Sequence, residues 1–132
     1  MKPISIALIG AGYIAKEHAL ALSQIPDVRV TTVFDAARDR AEELAKTYSA
    51  TTASSLEQAT ETSDMVWLCT PQMLHEQQIL ASLQAGKNVF CEKPVAISVE
   101  SCRRIQKAVA KTGKFVAVGQ SNRYYPAYQK AH

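Results

Sequence analysis

The chain has 132 residues, 47% of them apolar and 20% charged, with a net charge of +3. This length gives room for one domain with a real core and not comfortably for two, and no apolar run approaches the ~20 residues a membrane helix needs. The three cysteines, Cys69, Cys91 and Cys102, are odd in number and form no Cys-x-x-Cys pair, so neither a disulfide framework nor a zinc site is indicated and a reducing cytoplasm fits best.

Ile4, Ile6, Leu8 and Ile9 form a short, β-branched apolar run, as expected of a central strand covered on both faces. Its single positive charge and broken apolar stretch read as a first strand rather than a leader. Gly10 ends the run, and a helix from about Tyr13 to Gln24 follows, stopped by Pro26. Val28 to Phe34 is a second strand ending in Asp35. The next helix is expected to be capped by Asp39 and to bury Ala41, Leu44, Ala45 and Tyr48. Ala50 to Ala53 reads as a short edge strand, and Ser54 with Glu57 as a capping box for a short helix ending near Thr62. Met65 to Cys69 is a fourth strand, ended by Thr70-Pro71. A helix from about Leu74 to Ala85 is expected to bury Ile79, Leu80 and Leu83, with Gly86 as its left-handed stop. Asn88 to Cys91 is a fifth strand. Ser98 caps a helix to Thr112 whose inner side would be Val99, Cys102, Ile105 and Val109, and Phe115 to Val118 is a sixth strand. Strands and helices thus alternate throughout. That pattern calls for an α/β Rossmann-type fold, a doubly wound parallel sheet in three layers with strand order 3-2-1-4-5-6 and all strand ends along one edge.

Residues 1–66 carry six basic and nine acidic groups, residues 67–132 nine and three. The basic excess includes Arg103, Arg104, Lys107 and Lys111, one solvated helix face without interleaved aromatics, so no nucleic-acid role is read from it.

The strand, glycine turn and helix at the N-terminus are the first chemical signal. Gly10 would permit the tight turn, Gly12 would let backbone approach a pyrophosphate, and Ala15 would allow close helix–strand packing. The helix start at Tyr13 and Ile14 would aim free N–H groups and positive dipole at that anion. Asp35 falls about 20 residues beyond, where a dinucleotide fold places the acid that holds an adenosine ribose. A carboxylate there favours NAD, while Arg38 is close enough in sequence to pair with a 2′-phosphate and keeps NADP as the alternative.

Further candidates follow the later strands: Thr70-Pro71-Gln72-Met73-Leu74-His75, then Gly86-Lys87-Asn88-Val89-Phe90-Cys91-Glu92-Lys93-Pro94, then Gln120-Ser121-Asn122-Arg123-Tyr124-Tyr125-Pro126. With these the chain resembles, over all 132 residues, the cofactor domain of the Gfo/Idh/MocA oxidoreductases, the glucose–fructose oxidoreductase and inositol dehydrogenase family. The Gly-Lys-x-Val-x-x-Glu-Lys-Pro signature is intact from Gly86 to Pro94. The resemblance implies that Lys93 lies beside the nicotinamide and the reacting carbon of a sugar or polyol, partly desolvated, with Glu92 at the nicotinamide end and a cis Lys93–Pro94 bond. It also implies that Thr70, Pro71, His75, Asn122 and Arg123 lie near the cofactor, although Gln72 stands where the family has asparagine. From the residues alone, His75 would be a capping or surface residue in the first turn of its helix, and Glu92-Lys93 a solvated strand end. In the family a second α/β domain follows, so residues 1–120 are expected to be the dinucleotide-binding domain and 121–132 a linker opening the connecting helix, with a homo-oligomer expected of the full-length form. The rival reading is a non-catalytic NAD(P)-binding or sensor module that docks on a partner. No metal site is expected.

Overall fold

β1 (Ile4–Ile9) forms the middle of the molecule because its residues are apolar on both sides: Ile6 and Leu8 point to one face, Ala7 and Ile9 to the other, and all four are buried. The computed structural model describes residues 2–130, so Met1 and the last two residues of the expected linker lie outside the described residues. In chain order follow α1 (Tyr13–Ser23), β2 (Val28–Phe34), α2 (Arg38–Thr47), β3 (Thr51–Thr52), α3 (Leu56–Glu61), β4 (Met65–Leu68), α4 (Gln72–Gln84), β5 (Asn88–Cys91), α5 (Val99–Thr112), β6 (Val116–Val118), a single 3-10 turn at Ser121–Tyr124 and α6 (Pro126–Gln129). The six strands pair in parallel in the order β3-β2-β1-β4-β5-β6. The carboxyl ends of all six therefore open on one edge, the Rossmann arrangement expected from the sequence.

The pleat sorts the core into two layers. Ile6, Leu8 and Val30 pack with Ala15, Ala19 and Leu22 of α1 and Ala41, Leu44 and Ala45 of α2, while Ala7, Ile9, Val66, Leu68, Val89 and Cys91 pack on the other face with Ile79, Leu83 and Ile105. Each buried Ile, Leu or Val side chain contributes on the order of 1.5–3 kcal/mol. Among the described residues no helix is long and apolar enough to cross a membrane, and no group of three or more His, Cys, Asp or Glu could hold a metal ion.

Several local expectations are corrected. Asp39 does not cap α2. The N-cap is Ala37, whose N–H donates to Asp35 Oδ1 at 2.7 Å, so the Asp35 carboxylate starts the helix early and Asp39 falls in its first turn. The capping box before α3 lies one residue later than Ser54/Glu57: Ser55 Oγ accepts the Gln58 N–H, and Gln58 Oε1 accepts the Ser54 N–H. α4 begins at Gln72, directly after Pro71, and buries His75 and Ser82 beside Ile79 and Leu83, leaving Leu80 half-buried. In α5, Val99 is 61% exposed, and Ser101, within the first turn, takes the buried place. Ser98 caps α5 through the Ser101 N–H, and Gly113 ends it in the left-handed region, both as expected.

Candidate functional site

The first half of the site is made of backbone. Gly10 has φ +93°, and a Cβ there would stand 2.7 Å from the Cys69 carbonyl oxygen, so neither the turn nor the close approach of β4 admits a side chain. Gly12 is the N-cap of α1, with no side chain on the helix's free N–H groups, and a Cβ built on it meets nothing within 4 Å. The space in front of the helix start is thus open, and a branched side chain at this position would project into it. Ala15 is fully buried, allowing α1 to sit close on the sheet. Unpartnered amides, positive dipole and open space together fit a pyrophosphate.

Asp35 is fixed at the end of β2 by backbone donors on both oxygens: Ala11 N–H to Oδ2 and Ala37 N–H to Oδ1, each at 2.7 Å. Each oxygen keeps a second acceptor position for a ribose hydroxyl. A cavity of about 480 Å³ runs from Gly10 and Gly12 past Asp35 to Thr70 and Pro71, with Arg40, Cys69, Leu74 and Gln78 also on its wall. The arginine at this cavity is Arg40. Arg38 instead pairs along its own helix with Glu42 (2.7 Å), is 73% exposed and does not line this cavity. A helical side chain leans toward the N-terminus, so Arg40 reaches back over the turn that holds Asp35. Tyr13 and Ile14 are exposed on the first turn of α1, and Tyr13 shares a neighbouring depression with Lys16, Arg40 and Glu43. Burial of the Cys69 thiol behind the glycine turn pushes its pKa up, so it stays a neutral apolar wall.

The second half is held by side chains. His75 is buried and neither caps its helix nor faces solvent: Nδ1 lies 2.8 Å from the Pro94 carbonyl and Nε2 2.8 Å from the Thr70 carbonyl. It thereby ties the loop after β4 to the loop after β5. The Thr70 hydroxyl donates to Gln78 Oε1 of α4. The Lys93–Pro94 peptide is cis. Glu92, at the end of β5, is not a solvated strand end: its side chain is 15% exposed, and its Oε1 lies 2.7 Å from His18 Nε2 of α1. Lys93 is exposed, so the partial desolvation expected of it is not supplied by the described residues. Gln72, the residue that departs from the family's asparagine, is exposed at the first position of α4. Asn122 and Arg123 are exposed on the 3-10 turn and line a separate depression with Tyr128 and Gln129.

The structure thus gathers Gly10, Gly12, Asp35, Thr70 and Pro71 around one cavity, with Glu92 and Lys93 at the end of the next strand. Sequence reasoning missed Arg40 and His18. The i,i+4 spacing of Arg38 and Glu42 was a signal that Arg38 is committed to its own helix.

The family model for Gfo/Idh/MocA oxidoreductases, described as an NAD-binding Rossmann fold, matches residues 4–120. An inositol 2-dehydrogenase of Rhizobium meliloti (strain 1021) is 36% identical over 127 residues, which is 95% of this chain and 38% of the relative. A 4-carboxy-2-hydroxymuconate-6-semialdehyde dehydrogenase of Sphingobium sp. (strain NBRC 103272 / SYK-6) is 34% identical over 130 residues, 96% of this chain and 41% of the relative. The chain therefore spans about two fifths of the length of these relatives. Among solved structures, GenD2 from gentamicin A biosynthesis, in complex with NAD, superimposes with a TM-score of 0.93 at 28% identity, covering 100% of this chain and 38% of that one. The chain belongs to the Gfo/Idh/MocA oxidoreductase family, whose NAD-binding Rossmann fold it forms.

Proposed function

We propose that this domain holds NAD along the carboxyl edge of its sheet and serves an oxidoreductase acting on a hydroxyl-bearing carbon of a sugar, polyol or cyclitol. When bound, NAD supplies hydride exchange at the nicotinamide. The observation that carries the reading is the convergence, on one edge, of an open glycine turn, a backbone-anchored Asp35 and the Glu92-Lys93 pair. A dinucleotide in this fold crosses the switch point between the two halves of the sheet. With adenosine held at the end of β2, the other nucleotide falls over the ends of β4 and β5, where Thr70, Glu92 and Lys93 stand.

Asp35 accepts hydrogen bonds from the ribose hydroxyls and repels a 2′-phosphate, so NAD is preferred to NADP. The exposed Lys93 ammonium donates to a substrate oxygen and moves a proton to or from it once a further domain excludes water there. Pro71 and His75 fix the loop above the cofactor, and Tyr13 and Ile14 present the first amides of α1 to the pyrophosphate. Asn122 and Arg123 open the connection, residues 121–132, that leads from the 1–120 domain to the substrate domain. Relatives named as sugar and polyol dehydrogenases support a small-molecule substrate, and we place the protein in the cytoplasm as a homo-oligomer.

The test is turnover in a protein carrying this domain together with a substrate domain. Lys93→Ala should lower it by about 10²-fold or more while NAD affinity stays within roughly tenfold. Full turnover in that variant would make Lys93 structural, and NAD binding with no turnover on any polyol would favour the non-catalytic binding module instead.

A further inference from the structure

Resting on the cofactor reading above, we propose that His18 is a positioning residue for the nicotinamide half of the site, holding the Glu92 carboxylate through its ring nitrogen. His18 lies in the second turn of α1, six residues after the N-cap Gly12, about 9 Å along the helix. Its ring lies edge-on against two aromatic neighbours, 5.6 Å from the Trp67 ring centre and 5.2 Å from that of Phe90. Those two rings stack on each other at 4.0 Å and 16°, forming a flat wall at the ends of β4 and β5. The wall leaves the imidazole little rotational freedom, and its Nε2 is directed at Glu92 Oε1, 2.7 Å away, with both side chains four-fifths or more covered.

The carboxylate is held on its other sides as well. Glu92 Oε2 accepts the Lys93 N–H at 3.1 Å. Just after β6, a Cβ at Gly119 would come within 3.0 Å of Glu92 Oε1 and 3.1 Å of Phe90 Cζ, so any larger residue there would push on the pair. A largely buried carboxylate with a charge-assisted partner on one oxygen and its own loop amide on the other has one orientation, and the peptide leading into Lys93 takes its direction from it. One helix therefore presents its N-terminus to the pyrophosphate and, two turns on, fixes the loop that meets the second nucleotide. Removing the donor should loosen the nicotinamide end and leave the adenosine end as it was.

ADP-ribose, which has the pyrophosphate and adenosine but no nicotinamide, separates the two ends. Titrations of this chain with NAD and with ADP-ribose should show that His18→Phe, which keeps an aromatic ring against that wall but lacks the donor, weakens NAD about fivefold or more and leaves ADP-ribose within about twofold. His18→Gln, with a donor at similar reach, should return NAD to within about twofold of the unsubstituted chain. Trp67 is the single tryptophan, and its emission reads whether the ring packing survives each change. If His18→Phe does not fold, His18→Leu carries the same expectation. An unchanged NAD to ADP-ribose ratio, or equal loss of both ligands, would overturn the positioning role and leave the cofactor reading intact. Failure of the unsubstituted chain to bind either ligand would overturn the cofactor reading itself, and the role of His18 with it.

Discussion

The two halves of the sheet edge are built from different materials. On the β1–β2 side the site is backbone: a turn with no side chain at Gly10 or Gly12, and an Asp35 carboxylate anchored by two main-chain amides. On the β4–β5 side it is side chains reaching across the fold, with His75 between the Thr70 and Pro94 carbonyls and His18 on Glu92. The packing follows the same division. β1 is buried from Ile6 to Ile9, whereas all three residues of β6 are only half-buried and Phe115 beside it is 51% exposed. The first half lies over the well-buried centre of the sheet, and the second presents the exposed Lys93 and an apolar flank.

Breaking the backbone half should cost most. Gly10→Ala sets a Cβ 2.7 Å from the Cys69 carbonyl oxygen at φ +93°, and clash and strain together should lower stability by about 3 kcal/mol or more, read from the denaturation midpoint. A loss under about 1 kcal/mol would mean the turn is softer than described.

The charge on Asp35 sets the next effect. Two charges ~4 Å apart cost about 1 kcal/mol in water and ~4 at an intermediate dielectric, so NADP should bind several-fold to several-hundred-fold more weakly than NAD by calorimetry. Arg40→Ala should widen that gap, because Arg40 rather than the exposed Arg38 lines the cavity. Equal affinities in the unsubstituted chain would contradict the role given to Asp35.

For the side-chain half, His75→Phe keeps the volume but removes the buried ring nitrogens from between the Thr70 and Pro94 carbonyls. It should cost about 1–3 kcal/mol, with thermal unfolding as the readout. A neutral result would show that the two loops hold without it.

The smallest effect is acidic. Ser5 donates its hydroxyl and amide to Asp64, holding that carboxyl below the usual range, and hydrogen bonding from Arg104 brings Glu76 down from 4.5 to about 2. Both groups have depressed folded pKa values, so their contribution is present above about pH 5 and fades as pH falls through the folded values. The melting temperature should therefore decline between about pH 5 and 2, less steeply in Arg104→Met. Identical slopes would remove Glu76 from the account.

What the sequence disclosed divides along the same line. The strand–glycine–helix turn, the acid after β2 and the strand order are local patterns with fixed spacing, and they were legible. His18 and Glu92 are 74 positions apart, and His75 and Pro94 are 19. Nothing in periodicity announces such pairs, because they exist only once parallel strands bring their ends together. The cap of α2 has a similar cause: Asp35 is the acid expected to meet the ribose, yet its Oδ1 also accepts the Ala37 N–H and starts α2, so the cap is Ala37 and not Asp39.

The central claim is that the backbone half binds the cofactor while the side-chain half supplies the chemistry. Calorimetric titration of NAD into two variants of this chain tests it most directly. Gly12→Val fills the open space before α1 and should lose binding by about 10²-fold or more while staying folded, whereas Lys93→Ala should bind within roughly tenfold of the unsubstituted chain. Comparable losses in the two variants, or normal binding by Gly12→Val, would contradict it.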